Sequence, residues 1–224
     1  MLRSYPKFVP VLVALDCIEL EPGSTVTIHG LGWEQFEAYL EELGEGRSAR
    51  IAYFHGALEI MAPLPAHERP HRFIADVVKA ILDAQGRDWE DFGSTTFKKK
   101  TADAGLEPDT CFYIQNAQRV RNCLRMDLEV YPPPDLAIEA DLTSTTTLAA
   151  YQALQVPEVW IYSQNRLTIH LLRDDRYEQS QTSEVFGDLL VAQAIPRLLQ
   201  QALQQGSSQV LRSLRTRLAE GKEL

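Results

Sequence analysis

Acidic residues recur at alternate positions in one short apolar stretch of the chain, directly after three consecutive prolines. The stretch is 134–141, and its acids are Asp135, Glu139 and Asp141. Side chains alternate across a β-strand, so these acids share one face while the apolar residues between them take the other. Carboxylates on a strand that otherwise looks buried repel one another and lose solvation, unless protons or a cation offset the charge. The pattern therefore predicts a divalent-metal site.

Two further acids lie in strand-like stretches elsewhere. Asp109 follows Pro108 within a predicted strand over 106–114. Glu59 lies in the second arm of a predicted hairpin and points away from the face that its apolar neighbours bury. Glu59 has two interpretations, because a polar residue on one hairpin is often simply a solvated residue at a strand edge.

The segment 67–71 reads His-Glu-Arg-Pro-His and matches the HExxH zinc-protease motif letter for letter. That motif requires both imidazoles one turn apart on the interior of a helix. Here the apolar stripe begins only after the motif, and Pro70 favours the first turn of a helix over its interior. We therefore expect His67 to lie at or before the helix start, and we expect that His67 and His71 do not bind one zinc ion.

The elements that must position these residues alternate between helices and strands. The predicted elements are a helix over 31–43, a hairpin over 49–61, a helix that begins near residue 67 with Pro70 in its first turn, strands over 95–100, 106–114 and 134–141, a helix over 147–154, strands over 158–162 and 166–172, and helical spacing after 196. This order predicts an α/β fold with a mixed central sheet flanked by helices, an N-terminal helix and hairpin, and a C-terminal helical extension. The predicted domain covers residues 1–190 and the extension covers 191–224.

Bulk composition limits the class of protein. The chain has 224 residues, of which 45% are hydrophobic and 24% charged, which suits one globular domain. No stretch approaches the ~20 apolar residues that span a bilayer, and the N-terminus lacks a cleavage signal for export. Three cysteines without CxxC spacing favour a reducing compartment, so we expect a cytoplasmic protein. The net charge of −9 argues against coating nucleic acid through a broad basic surface.

Several of these motifs together resemble a known family. An Asp after Pro108, followed thirty residues later by a strand carrying Glu139, resembles the PD-(D/E)xK nuclease superfamily. Five segments in the same order resemble the Uma2 (DUF820) family of restriction-endonuclease-like proteins, over about residues 25–180. These segments are 56–61, His67-Glu68, 105–109, 134–139 and 156–160. The resemblance implies a restriction-endonuclease-like fold.

The resemblance also implies an activity. It implies a Mg²⁺- or Mn²⁺-dependent endonuclease that hydrolyses DNA, with Asp109, Glu139 and Glu59 as metal ligands converging at one end of the sheet. Asp135 is expected to be structural, because it lies about 13 Å along the strand from Glu139. The alternative is a catalytically impaired relative that binds nucleic acid or protein. A homodimer is a further expectation, since the Gln- and Arg-containing C-terminal helix reads as an exposed helix or an oligomer arm.

The superfamily pattern has a lysine two residues after the glutamate, and this chain departs from it with Asp141. The nearest lysines precede Asp109, where 98–100 reads Lys-Lys-Lys. Alternation places Lys98 and Lys100 on one face of that strand and Lys99 on the other. We take Lys98, the deepest in the strand, as the candidate catalytic lysine. The alternative interpretation is a solvated surface lysine.

Overall fold

The computed structural model describes residues 18–44, 49–140, 144–222 and 224, with the backbone alone at 65–67 and 145. In chain order the elements are β1 (Thr25–His29), α1 (Trp33–Leu43), β2 (Arg50–Phe54), β3 (Ala57–Met61), α2 (Pro65–Ala84), β4 (Glu90–Asp91), β5 (Phe97–Lys99), β6 (Ala104–Leu106), β7 (Thr110–Tyr113), α3 (Ala117–Val120), β8 (Leu136–Ala140), α4 (Thr145–Ala153), β9 (Glu158–Ser163), β10 (Arg166–Arg173), β11 (Arg176–Ser180), α5 (Val191–Gln205) and α6 (Ser207–Ala219). The α/β class is confirmed. None of the described helices is both long and apolar enough to cross a membrane.

The first sheet has five antiparallel strands in the order β1-β3-β2-β6-β5. Its β2–β3 hairpin turns at His55 and Gly56, both of which have positive φ, as a tight turn requires. Helix α1 covers one face of this sheet, with Phe36 stacked on Tyr53 at a ring-centroid distance of 4.4 Å. The predicted helix and hairpin are therefore confirmed.

The second sheet has six strands in the order β11-β10-β9-β8-β7-β4. Strand β8 lies inside it, antiparallel to β7 and parallel to β9, so this sheet is mixed as predicted. The expected alternation holds along β8: Leu136 and Ile138 pack in a core with α2, whereas Ala137 packs in a second core with Tyr151 of α4. Both faces of β8 are therefore covered, and Glu139 lies on a buried strand.

The predicted strand over 106–114 is wrong as a single element. Residues 104–106 form β6 in the first sheet, and residues 110–113 form β7 in the second. Pro108 lies between them, and because proline has no N–H it cannot continue a ladder of hydrogen bonds. Glu107 and Asp109 consequently lie where the chain passes from one sheet to the other.

The expected start of α2 is also wrong. The helix begins at Pro65, so Pro70 lies inside it, and the first helical bond runs from Glu68 N–H to the Leu64 carbonyl (3.0 Å). Pro65 suits the first helical position because its φ is already helical and its missing N–H would have no partner there. One complete turn therefore forms ahead of Pro70. The His67 side chain lies outside what the structure describes, so the zinc prediction stays a prediction.

Helices α5 and α6 bury one apolar face each. Ile195 and Leu198 of α5, with Val210 and Leu214 of α6, belong to the same core as α2 and β10. The predicted helical stretch is confirmed, but it is packed on the sheet and is not a projecting arm. The division of the chain at residue 190 stays a prediction.

Gly105 of β6 is expected to tolerate no side chain. A Cβ there would lie 2.7 Å from Cζ of the buried Phe36 and 3.2 Å from Lys98 Cβ. We expect Gly105→Ala to lower the free energy of unfolding by about 1–3 kcal/mol, the usual cost of overpacking. Urea denaturation followed by circular dichroism measures it. Gly32→Ala is the control, since its nearest contact would be an ordinary 3.7 Å. A Gly105→Ala loss no larger than that of the control contradicts the prediction.

Candidate active site at the junction of the two sheets

A cavity of about 60 Å³ opens where the two sheets meet. Strands β2, β3 and β8, the β6–β7 connection and the start of α4 all contribute to its wall. The lining residues are Thr25, Arg50, Ile51, Ala52, Glu59, Met61, Glu107, Asp109, Glu139, Ala140, Ser144 and Thr147. Four of these are carboxylic acids and one is basic. The cavity therefore brings Glu59, Asp109 and Glu139, which are far apart in sequence, onto one surface.

Asp109 and Glu139 form a buried pair of carboxyl groups. Oδ2 of Asp109 accepts a hydrogen bond from the Ala140 backbone N–H (2.8 Å), and the Tyr151 hydroxyl donates to Glu139 Oε1. Burial raises the pKa of Glu139 well above its ordinary value, and the charge of Asp109 raises it further. The hydrogen bond from Tyr151 acts in the opposite direction but is the weaker effect. The pair therefore needs a proton or a cation.

Glu59 lines the same cavity but is bound by a helix end. Ser144 caps α4, accepting from the Thr147 backbone N–H (3.1 Å) while its hydroxyl donates to Glu59 Oε2. The Thr147 hydroxyl lies 3.4 Å from the same oxygen. The N-terminus of a helix favours a negative charge, which accounts for a carboxylate at this place.

Two of the three predicted metal ligands are paired, and the third lies elsewhere on the wall of the same cavity. Among the residues that the structure describes, no three His, Cys, Asp or Glu side chains are arranged to hold a single metal ion. The carboxyl groups of Asp109 and Glu139 interact with each other. Glu59 lines another part of the cavity, where it accepts a hydrogen bond from Ser144. Asp141 lies outside the described residues. The geometry fits a two-carboxylate site, so the assignment of Glu59 as a direct ligand stays a prediction.

Lys98 does not line the cavity that holds the carboxylates, so its choice as the catalytic lysine stays a prediction that this geometry does not support. Its ammonium group is 2.6 Å from Glu37 Oε1 on α1, and Lys100 likewise pairs with Glu34 at 2.9 Å. Neither residue lines the cavity. Lys98 and Lys100 share one face, as predicted, and that face packs toward α1. Only the tertiary structure determines which layer this face meets.

Arg50 is the basic cavity residue that sequence reasoning missed. It begins β2 and lies opposite Met61 in the hairpin, while Ala52 lies opposite Glu59. Residues two apart in a strand share a face, so the hairpin register alone places Arg50 on the face of Glu59. That register was the signal available in the sequence, because the turn at His55 was already predicted.

Asp135, expected to be structural, fastens the loop after β7. Its Oδ2 accepts from the backbone N–H groups of Ile114 (2.6 Å) and Asn116 (3.0 Å), and its Oδ1 accepts from Asn116 Nδ2 (2.7 Å). It does not line the cavity. Its carboxylate is therefore used fully in holding β8 to the neighbouring loop.

Asp109 and Glu139 meet where the mixed sheet joins the first sheet, as expected for a restriction-endonuclease-like α/β protein. The chain belongs to the Uma2 family, described as "Putative restriction endonuclease", whose model matches residues 33–204. This match continues beyond residue 180 and ends at residue 204, one residue before the end of α5.

Comparison with solved structures supports the same fold. A "putative nuclease belonging to DUF820" from Anabaena variabilis is similar, with a TM-score of 0.53 and 14% sequence identity over 81% of this chain and 99% of that one. None of the curated proteins compared with the chain matches it. At this identity the likeness concerns the fold, and the chemistry must be argued from the residues of this chain.

Proposed function

We propose that this protein is a divalent-metal-dependent endonuclease that hydrolyses DNA phosphodiester bonds. The observation that carries the proposal is the pair of buried carboxyl groups, Asp109 and Glu139, in a cavity at the junction of the sheets. Membership of a family described as restriction endonucleases supports the reaction class. The proposal extends to DNA as the substrate, to a cytoplasmic location and to Mg²⁺ or Mn²⁺ as the metal.

The donor set fits a hard divalent cation. Mg²⁺ commonly takes one or two carboxylates and completes its coordination with water and substrate phosphate. Asp109 and Glu139 supply two carboxylates whose mutual repulsion a cation would relieve. When bound, the metal supplies Lewis-acid polarisation of a phosphoryl oxygen and lowers the pKa of the attacking water.

The residues of the chain then have separate tasks. Asp109 and Glu139 hold the cation, and the Tyr151 hydroxyl keeps Glu139 in place. Glu59, bound to Ser144, is placed to interact with a water in the cavity. In the reaction a water oxygen bonds to phosphorus, one phosphorus–oxygen ester bond breaks, and the leaving oxygen takes up a proton. At about 60 Å³ the cavity has room for a few water-sized groups, so the DNA backbone must lie across its mouth.

The alternative function is an impaired nuclease relative that binds nucleic acid or another protein. Two observations favour it: position 141 is an aspartate where the superfamily pattern has lysine, and Lys98 is paired with Glu37. The two functions differ in one property, since only the nuclease breaks the DNA backbone.

Nicking of supercoiled plasmid DNA is expected in Mg²⁺ or Mn²⁺ and is expected to stop in EDTA. Asp109→Asn is expected to lower the rate more than about 100-fold, because even the residues that support metal ligands typically contribute 10- to 100-fold. Gel electrophoresis measures the rate of conversion to open circles. Duplex binding without cleavage, across both metals and several substrates, would instead establish the impaired relative.

Sedimentation velocity on the same sample tests the homodimer.

A further inference from the structure

Arg50 is the only basic residue among the described residues that line the cavity. Its side chain is 18% exposed, and its Nε is buried without a hydrogen-bond partner. A guanidinium group carries five N–H donors and no acceptor, and buried donors in native proteins are normally paired. An unpaired donor on a residue of the cavity wall is available to an acceptor that a ligand brings.

Glu68 of α2 holds the far end of the Arg50 side chain. Its Oε1 is 3.6 Å from Arg50 Nη2, while its Oε2 is 3.0 Å from Arg72 Nη2 and 3.4 Å from Nε2 of the buried His71. Burial alone would raise the pKa of Glu68, but Arg72, His71 and Arg50 together lower it. Glu68 is therefore an anion at neutral pH. The 3.6 Å between Glu68 Oε1 and Arg50 Nη2 is too long for a hydrogen bond. Glu68 therefore attracts and orients the guanidinium but leaves the Nη2 donor available.

The charge of the cavity explains why a cation beyond the metal is required. Its wall carries Glu59, Glu107, Asp109 and Glu139, and each DNA phosphodiester adds a negative charge. A divalent ion on Asp109 and Glu139 offsets two of these charges. A planar guanidinium matches two phosphate oxygens at once, so an arginine suits the remaining task.

We infer that Arg50 binds the scissile phosphodiester by donating to its non-bridging oxygens. It thereby supplies the positive charge that is missing at position 141, which is an aspartate, and that Lys98, paired with Glu37, does not bring to the cavity. This inference rests on the proposed function. Glu68 acts through Arg50 as a positioning residue and does not contact the substrate.

The test compares the wild type with Arg50→Gln, Arg50→Lys and the control Arg69→Gln. Arg69 lies on the same helix as Glu68, but its side chain is exposed and does not line the cavity. One assay measures plasmid nicking in Mg²⁺. The other measures binding of a fluorescein-labelled DNA duplex in Ca²⁺ by anisotropy, and it does not depend on turnover.

Arg50→Gln is expected to slow nicking about 100-fold, the usual effect of removing one donor to a developing charge, and to weaken duplex binding about tenfold. Arg50→Lys should fall between the wild type and Arg50→Gln, because a lysine keeps the charge but loses the paired donors. Arg69→Gln should stay within about threefold of the wild type in both assays. If Arg50→Gln does not fold, Arg50→Lys carries the test, with an expected loss of about tenfold.

Three outcomes overturn the inference. If Arg50 only neutralises carboxylates, the Arg50→Gln variant will bind Ca²⁺ more tightly than the wild type and will bind the duplex with unchanged affinity. A wild type that nicks DNA alongside an equally active Arg50→Gln removes the inference and leaves the proposed function standing. A wild type that neither binds nor nicks DNA removes both.

Discussion

Replacement of Glu139 by glutamine is expected to abolish metal-dependent nicking and, at the same time, to stabilise the metal-free protein at alkaline pH. The loss of nicking should exceed about 100-fold, because the amide keeps the shape of the side chain but cannot supply a negative ligand to a cation. The stability gain should be about 1–3 kcal/mol at pH 8, the usual cost of an uncompensated buried polar group. Loss of activity with gain of stability separates a site residue from a structural one.

The pH dependence of this effect follows from the pKa of Glu139. Burial and the neighbouring Asp109 raise that pKa in the folded protein above its ordinary value of 4.5. The folded state therefore binds more protons than the unfolded state between 4.5 and the raised pKa, so wild-type stability falls as pH increases through that window. Glu139→Gln does not titrate and should lose this slope.

Urea denaturation at pH 5 and pH 8 in EDTA measures both variants. Glu178→Gln is a matched control, because Glu178 is exposed on β11 and should leave the wild-type slope unchanged. Equal pH slopes for wild type and Glu139→Gln would show that Glu139 is not a buried titrating group. Nicking by Glu139→Gln at the wild-type rate would remove the metal site as proposed.

Asp135→Ala is expected to have the largest effect on stability. The substitution leaves the backbone N–H groups of Ile114 and Asn116 without the carboxylate oxygen that accepts from both. Hydrogen bonds to a charged group contribute about 1.5–3 kcal/mol each and are not additive, so we expect a total loss of about 3–5 kcal/mol. For a chain of this size that corresponds to a fall of roughly 6–20 °C in Tm.

Differential scanning calorimetry measures this change, and Asp135→Asn is its matched control. The asparagine keeps one carbonyl acceptor in the same place and should lose less than half as much. An Asp135→Ala variant within 1 kcal/mol of the wild type would contradict the structural role of Asp135.

Patterns of hydrophobic periodicity and turn residues were sufficient for most of the elements. The hairpin at His55-Gly56, the helix at α1 and the alternation along β8 depend on neighbours within a few residues, and all are present as predicted. The errors occurred at prolines. Pro108 was predicted to lie within one strand, but it lies between β6 and β7. Pro70 was predicted to lie in the first turn of α2, but the helix already begins at Pro65.

The residue types of the site were readable from local sequence, because acids on apolar strands are costly to bury without a compensating charge. That reasoning singled out Glu139, and the family resemblance added Asp109 and Glu59; all three line one cavity, while distance along the strand separated Asp135 from Glu139. Neither selected the basic partner, although the hairpin register already placed Arg50 on the face of Glu59. Which face of a strand packs on which layer depends on contacts between residues far apart in the chain, so only the tertiary structure turned Lys98 toward Glu37 and brought Arg50 and Glu59 to the cavity of Asp109 and Glu139.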